Sequence, residues 1–333
     1  MKGRGKMVAA MVWVRVGAAS AAMCVVAAGC SSTQTQPQVQ APQPSTADSV
    51  AASTPAKVSQ LTGSNENAIT FDFIYPDGDP HWTDEAKASL NDAANAVAAY
   101  LVAPKPVTLT YKVAEDNEPG HLAQASSERV DEESPGYFRT VVQQKLITGE
   151  DANGDKPDGD IDVNWNSNWA LGDDIPAGDD DAGTSRPDDF KATIMHELVH
   201  TLGFDTNIQG PGSAPVKNRP TFDSFVVNAD GTKVINDDDT FNTAFDPNLT
   251  GGNGGLFFGG PKAMAAYDGK PVPLSTDPTW SVSNVTHLDG RTFTGGTKKM
   301  MNPGDDGDGA EVRVLSPVEL GILEDLGYTV APH

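Results

Sequence analysis

Two histidines and a glutamate stand close together in His196-Glu197-Leu198-Val199-His200. If this stretch is helical, the histidines lie one turn apart on one face, so both imidazoles can reach a single metal ion. Glu197 then lies beside the open coordination position and can take a proton from a water bound there. Zn²⁺ held in this way lowers the pKa of its water toward ~7 and prepares it to attack a peptide carbonyl. The alternative is a helix whose two histidines bind no metal.

The surrounding residues predict the helix that these side chains need. Asp188 and Asp189 stand where a helix N-terminus favours carboxylates, and Gly203 follows where a left-handed residue ends a helix. An apolar stripe at helical spacing accompanies the polar face and comprises Phe190, Ile194, Met195, Leu198, Val199 and Leu202. We therefore expect a buried helix that offers its histidines to a cleft.

A catalytic zinc site usually has a third protein ligand, and two candidates follow the helix. A glutamate on a following helix is disfavoured, because no glutamate occurs between Glu197 and Glu311. Asp205 comes shortly after the motif, and His287 is the histidine that follows it at long range. The spacing of the residues leaves both candidates open.

The motif resembles that of the metzincin proteases, His-Glu-x-x-His-x-x-Gly-x-x-His, as far as Gly203. It departs from that pattern at Thr206, which occupies the place of the third histidine. The arrangement is similar to the leishmanolysin-like branch of the metzincins, in which a long insertion precedes that histidine. Here the insertion is Asp205–Thr286, and Val285-Thr286-His287-Leu288-Asp289 matches the segment that carries the ligand.

Further matches follow in the same order along the chain. Lys299-Met300-Met301-Asn302-Pro303 resembles the Met-turn of the family, with Met301 as the methionine beneath the zinc. A Met pair beside a turn can also be ordinary core. Leu315–Pro317 and Leu323–Tyr328 resemble the closing helix of the group, so the likeness runs from about Tyr137 to Tyr328.

The resemblance implies a zinc-dependent endopeptidase that acts on protein or peptide substrates. Its metal ligands are His196, His200 and His287, and Glu197 is the general base and later proton donor. Asp205 as third ligand stays an alternative. A second alternative is a surface binding or adhesion lipoprotein that kept the fold without significant turnover. A replaced Glu197 or a broken histidine pair would mark such a protein, and the sequence has neither.

The start of the chain has the features of an export signal. Basic residues precede an apolar stretch from Val16 to Gly29, which is too short to span a bilayer. Ala27-Ala28-Gly29-Cys30 resembles the lipobox of bacterial lipoproteins, in which the cysteine becomes the lipidated first residue; an ordinary secretory signal is the alternative. We expect an exported protein held at the extracytoplasmic face of a bacterial cell membrane through the lipid on Cys30 alone.

Composition divides the chain into three parts. Residues 1–29 form the signal peptide, and 30–64 are rich in Ser, Thr, Gln, Pro and Ala, a composition typical of a disordered tether. The resemblance implies that residues 65–333 form a metzincin-like catalytic domain, with an N-terminal part to about 204 and a C-terminal part from 205. The formal net charge of −23 disfavours nucleic acid as a partner, because its phosphates need a basic surface.

The periodicity of the folded part predicts an α+β architecture with a largely irregular C-terminal subdomain. The resemblance implies that this architecture is metzincin-like, with a twisted mixed sheet and an active-site helix. A helix capped by Thr83 has an apolar face that reaches Leu101, and Ser316-Pro317-Val318-Glu319 is a capping box that starts the last helix. Strands are expected at Ala68–Tyr75, Val107–Val113, Tyr137–Val142 and Ile161–Asn164, with a hairpin-like piece at Phe225–Ile235.

A second metal is a weaker hypothesis. Asp151-Ala152-Asn153-Gly154-Asp155, followed by Asp158, Asp160 and Asp162, has the alternating oxygen ligands of a Ca²⁺ loop. Lys156 stands where the EF-hand pattern has glycine, and solvated acidic loops are the alternative for this and the other aspartate clusters.

Overall fold

The computed structural model describes residues 68–116, 122–175, 186–304 and 312–332. The signal peptide predicted at 1–29, the tether predicted at 30–64 and Cys30 lie outside these ranges. All described residues belong to one structural unit. Across these ranges, no helix combines the length and the apolar content that crossing a bilayer requires.

The longest helices and the longest strands lie before residue 204. The α-helices are α1 (Asp84–Ala98), α2 (Val141–Thr148), α3 (Phe190–Thr201), α4 (Pro261–Ala266) and α5 (Pro317–Asp325). The strands are β1 (Ile69–Ile74), β2 (Leu101–Val102), β3 (Val107–Glu115), β4 (Ala123–Ser126), β5 (Gly136–Phe138), β6 (Gly159–Val163), β7 (Trp169–Ala170), β8 (Asp188–Asp189), β9 (Asn218–Pro220), β10 (Val226–Val227), β11 (Phe257–Phe258), β12 (Val272–Pro273) and β13 (Thr329–Val330).

A four-stranded mixed sheet in the order β1-β3-β6-β4 forms the scaffold of the N-terminal part. β1, β3 and β6 run parallel, and β4 pairs antiparallel to β6 at one edge. Residues of β3 alternate between buried and more exposed positions, because successive side chains of a strand point to opposite faces. This mixed architecture of a partly parallel sheet and several helices is compatible with the predicted α+β class.

Helix α3 is buried as the apolar stripe predicts. Phe190, Ile194, Met195, Leu198 and Val199 are at most 2 % exposed. Burying each side chain stabilises the fold by about 1.5–3 kcal/mol. The helix packs against α1 and β4, which places its polar face at the edge of the sheet.

The two ends of α3 also match their predicted signals in part. Asp189 is the N-cap and accepts a hydrogen bond from the Ala192 N–H at 3.0 Å. Asp188 belongs to β8, so no carboxylate stands in the first turn of the helix. Gly203 has a φ of +85°, the left-handed conformation that glycine adopts without strain and that lets the chain turn away.

The C-terminal part consists of short elements around a continuous apolar core. β10, β11 and β12 form a small antiparallel sheet, and a bridge between Val227 and Lys233 confirms the predicted hairpin-like piece. Ring centroids of Phe204 and Phe222 lie 5.1 Å apart, and those of Phe222 and Phe258 lie 4.9 Å apart. This row of aromatic rings extends the core from the end of α3 into the insertion.

Two predicted elements differ from the structure. The strand expected over Tyr137–Val142 ends at Phe138, and Val141 begins α2 instead. Thr140 and Gln143 form a capping box there, because the Thr140 side chain accepts from the Gln143 N–H and Gln143 bonds back to Thr140. The first helix ends at Ala98, and Leu101 lies in β2, where its neighbour Val102 pairs with Thr329.

Candidate metal centre

The side chains of His196, His200 and His287 converge although the third lies far away in sequence. The Nε2 atoms of His196 and His287 are 3.2 Å apart, and those of His196 and His200 are 3.1 Å apart. His196 and His200 come from consecutive turns of α3, whereas His287 comes from the segment between β12 and α5. The insertion therefore returns its histidine to the helix.

Each histidine directs its other ring nitrogen at a backbone carbonyl. Nδ1 of His196 lies 2.6 Å from the Met300 oxygen, Nδ1 of His200 lies 2.7 Å from the Phe204 oxygen, and Nδ1 of His287 lies 3.0 Å from the Ser283 oxygen. Since a carbonyl can only accept, each Nδ1 carries the proton and donates it. The three Nε2 atoms are then unprotonated, and their lone pairs point toward one another.

This arrangement fits a zinc ion. Two ligand atoms on a tetrahedral Zn²⁺, each ~2.05 Å from the ion, lie about 3.3 Å apart, close to the Nε2 separations here. Three lone pairs at this distance repel one another unless a cation lies between them. The Nδ1–H bonds to carbonyls are the outer contacts that orient metal-binding histidines in general.

The surroundings keep all three imidazoles neutral, which is the form that binds metal. Burial lowers the pKa of His196, and burial together with the neighbouring histidines lowers that of His200 well below its usual value. Burial, and after it the electrostatic repulsion that a second protonated ring would meet at His196, lowers the pKa of His287 to about 3. The site thus disfavours protons at the positions where a cation would bind.

Glu197 lies beside the histidines and contacts the edge strand. Its Oε2 accepts a hydrogen bond from the Ala125 N–H of β4 at 3.1 Å. Burial raises the pKa of Glu197 to about 8, and the bond from Ala125 acts in the opposite direction. A divalent cation next to the carboxylate also favours its ionised form.

Asp205, the alternative third ligand, lines the same cavity as the three histidines but forms its hydrogen bond with a different group. Its Oδ1 accepts a hydrogen bond from the Thr286 hydroxyl at 2.9 Å. The described group of converging ligand atoms comprises His196, His200 and His287 without Asp205. The aspartate therefore connects the end of α3 to the residue that precedes His287.

Met301 is fully buried, and its backbone connects the parts of the site. The Met301 oxygen accepts from the Leu288 N–H at 2.7 Å, next to His287. The Met301 N–H donates to Oε1 of Glu319 on α5, also at 2.7 Å. The segment that resembles a Met-turn thus contacts the neighbour of one candidate ligand, and the Met300 oxygen contacts another.

Side chains from other elements hold both ends of α3. Arg313 donates to the two oxygens of Asp189 at 2.7 and 2.9 Å, a bidentate pair that fixes the N-cap. At the other end, the Thr140 hydroxyl donates to the Thr201 oxygen and the Tyr328 hydroxyl donates to the Leu202 oxygen. The last carbonyls of a helix lack partners within it, so these bonds position the turn that carries His200.

The backbone near His287 is strained. Val285 has a φ of +70°, a region that β-branched residues rarely adopt and that costs on the order of 1–3 kcal/mol. Val285 is fully buried, and its N–H donates to the Ser275 oxygen at 2.7 Å. Packing against the C-terminal part therefore maintains the turn that leads to the histidine.

A cleft of about 830 Å³ opens over these residues, between β4, α3 and the segments around 282–287 and 298–304. The Leu122 oxygen accepts from the Asn164 N–H, next to β6. Alternate residues of an antiparallel strand direct their backbone groups to the same side, so Gln124 and Ser126 also direct theirs to β6. Ala123 and Ala125 then direct theirs away from the sheet. The contact between Ala125 and Glu197 shows that this side of β4 faces the cleft.

The ammonium group of Lys145, which belongs to α2, lies among the carboxylates of the acidic loop proposed for calcium. Lys145 Nζ lies 3.0 Å from carboxylate oxygens of both Asp151 and Asp158. The other oxygen of Asp151 accepts from the Asn153 and Gly154 N–H groups. Within the described residues, this loop is not one of the groups whose ligand atoms converge, so calcium stays a prediction.

A second group of converging atoms lies apart from the histidine cluster. It comprises Asp79, His81 and Glu115, of which His81 and Glu115 are exposed. Asp79 Oδ1 accepts from both the backbone N–H and the ring of His81, whose ring stacks on Trp165 at 5.6 Å. Hydrogen bonding within the group accounts for these contacts.

Sequence reasoning missed two contributors to the site. Ala125 lies in β4, whose small and polar residues Ala-Gln-Ala-Ser carry no hydrophobic signal of a strand. The sequence predicts only the capping box of Glu319, which involves its neighbour Ser316, and not its bond to Met301.

A comparison of the chain with protein-family models, curated proteins and solved structures found no match.

Proposed function

We propose that this chain is a zinc-dependent endopeptidase of the metzincin type, related to the leishmanolysin-like branch. The observation that carries the proposal is the convergence of three unprotonated Nε2 atoms beside Glu197. His196, His200 and His287 would hold the ion with neutral imidazole nitrogens. Bound zinc supplies a Lewis acid that polarises a carbonyl group and acidifies water.

Glu197 moves the proton in the proposed reaction. Its carboxylate accepts a proton from the attacking water and later delivers it to the leaving amine. The Ala125 N–H holds one carboxylate oxygen at 3.1 Å, which orients the second oxygen for this transfer. Restricted access of water around the half-buried Glu197 strengthens its interaction with the reacting groups.

The edge strand β4 provides a means of binding a peptide. An extended peptide can pair with the exposed edge of a sheet through backbone hydrogen bonds. Such pairing does not depend on the side chains of the peptide. Ala123 presents its N–H and its carbonyl on the cleft side, and Ala125 presents its carbonyl. A substrate chain aligned there would lie across the face of α3 that carries Glu197.

Replacing Glu197 tests the proposal. Glu197→Ala should abolish digestion of casein, with a loss of at least about 100-fold, and should retain zinc, because the base is not a ligand. Glu85→Ala, at an exposed position of α1, is the matched control and should behave like the parent protein. Metal content and proteolysis are measured on the same preparations of the full-length chain.

Two outcomes would contradict the proposal. If Glu197→Ala digests casein as fast as the parent, the proposed mechanism is wrong. If the parent binds zinc but hydrolyses no peptide bond, a surface binding protein with this fold is the better description.

We also propose that lipid on Cys30 anchors the domain to the membrane. Cys30→Ala should release the protein into the soluble fraction, because anchorage is assigned to that residue alone. Cys24→Ala, within the predicted leader, should stay membrane-bound and serves as the control. Membrane association of Cys30→Ala after a high-salt wash would refute the anchor.

A further inference from the structure

Glu319 is a fully buried carboxylate that links α5 to the candidate metal centre. Its Oε2 accepts from the Ser316 N–H at 2.7 Å and from the Ser316 hydroxyl at 2.8 Å, which completes the capping box. Its Oε1 accepts from the Met301 N–H at 2.7 Å. An ionised carboxylate accepts only, so three donors on two oxygens satisfy the charged form. Only Oε2 takes part in capping the helix, so Oε1 is available for another contact.

The group that Glu319 contacts is the peptide unit between Met300 and Met301. The N–H of this peptide donates to Glu319, and its carbonyl accepts from Nδ1 of His196 at 2.6 Å. One planar peptide therefore separates the carboxylate from the imidazole, because N–H and C=O of the same unit point in opposite directions. The row runs from Glu319 through the peptide to His196 and ends at Nε2, which faces the other histidines.

A negative charge on Glu319 at one end of these hydrogen bonds changes the properties of the His196 imidazole at the other end. The carboxylate polarises the peptide, so the Met300 oxygen becomes a stronger acceptor for the proton on Nδ1. The imidazole then becomes a better electron-pair donor at Nε2, and its ring orientation is fixed. Carboxylates bonded directly to a metal-binding histidine act in the same way, and their removal costs about 10–100-fold in metal affinity.

We propose that Glu319 is a positioning residue that strengthens and orients His196 for zinc through the Met300–Met301 peptide. This inference rests on the proposed function, since it concerns the same metal centre. It assigns to the closing helix a role in metal binding besides its packing against α4.

Zinc affinity of the full-length protein, measured by competition with a chelator, tests the inference. Glu319→Ala should raise the Kd for zinc about 10–100-fold. Glu319→Gln should raise the Kd measurably but by less than about 10-fold, because its one amide oxygen can still accept from Met301 without the charge. Glu324→Gln, at an exposed position of the same helix, is the matched control and should bind zinc like the parent.

Two further measurements separate positioning from general stabilisation. Ser316→Ala removes a bond to Oε2 and leaves the bond to Met301, so it should lower the melting temperature without changing the Kd for zinc. The visible absorption of the Co²⁺-substituted protein reports the ligand field directly, and it should shift in Glu319→Gln but not in Ser316→Ala.

The outcomes distinguish this inference from the proposed function. If the parent binds zinc and Glu319→Gln matches it in both Kd and Co²⁺ spectrum, the inference is wrong and the proposed function stands. The inference is equally wrong if Ser316→Ala and Glu319→Gln raise the Kd by the same factor. If the parent itself binds no zinc, the proposed function fails. Should Glu319→Ala not fold, the Gln variant decides.

Discussion

The described residues up to Phe204 and those after it reach an ordered structure in different ways. The earlier part contains the four-stranded sheet and α1 to α3, with strands of up to nine residues. In the later part, the described strands have two or three residues, and the segments between them contain 3₁₀ turns. The candidate metal centre nevertheless takes two histidines from the first part and one from the second.

Buried polar side chains replace sheet hydrogen bonding in the second part. Asn284 is fully buried, and its amide donates to the oxygens of Leu249 and Asp277 at 2.9 and 3.1 Å. Arg219, 1 % exposed, donates to Asp223 at 2.9 Å and to backbone oxygens on either side. Buried backbone groups need partners, so an irregular segment is held by specific side chains instead of by a repeating ladder.

The largest expected effect tests whether the irregular part completes the site. His287→Ala should reduce zinc affinity by more than the ~10–100-fold typical of outer contacts, and it should abolish proteolysis. His196→Ala on α3 is the comparison variant and should lose as much. Zinc content after dialysis and casein digestion are the measurements. If His287→Ala retains both its zinc and its proteolytic activity, the segment after the insertion contributes no ligand to the metal centre.

The next effect tests whether the two parts unfold together. Phe258→Ala in β11 should lower the free energy of unfolding by about 3–5 kcal/mol, because it leaves a cavity beside Phe222 and Phe225. Leu109→Ala in β3 should lower the free energy of unfolding by about 2–5 kcal/mol. Since the apolar core is continuous, each variant should show one denaturation transition by fluorescence and circular dichroism. Two separate transitions would show that the parts are independent.

The smallest effect concerns Asp205, at the boundary between the parts. Asp205→Ala removes the bond to the Thr286 hydroxyl, which is worth about 0.5–1.5 kcal/mol. Zinc content should stay near that of the parent, and activity should fall by less than about 10-fold. Thr286→Val removes the same bond from the other side and should have a similar effect. Loss of zinc in Asp205→Ala alone would make the aspartate a ligand.

Local patterns predicted the first part well, and their errors have a local cause. The strand at Ile69–Ile74 and the Asp189 N-cap follow from alternation and from capping chemistry. The segment at 137–142 misled because β-branched residues favour strands, yet the Thr140 capping box starts a helix at Val141. The second part has little periodicity to interpret, because its contacts join residues far apart in sequence.

The sequence alone determined the chemistry that the helix can offer. Histidines four residues apart must lie on one face of α3, and Glu197 must lie beside them, because the helical repeat dictates it. The capping box at Ser316 is determined in the same way, by groups three residues apart. Such features need no knowledge of the rest of the chain.

The tertiary structure alone decided where His287 lies, that Asp205 contacts Thr286, and that Glu319 has a second partner in Met301. The first two depend on how the insertion packs, and the third depends on how α5 packs against the Met300–Met301 peptide. Spacing in the sequence carries no information about the path of the insertion, because a loop of this length can close in many ways at similar entropic cost. The buried core and the polar contacts around it select one of them.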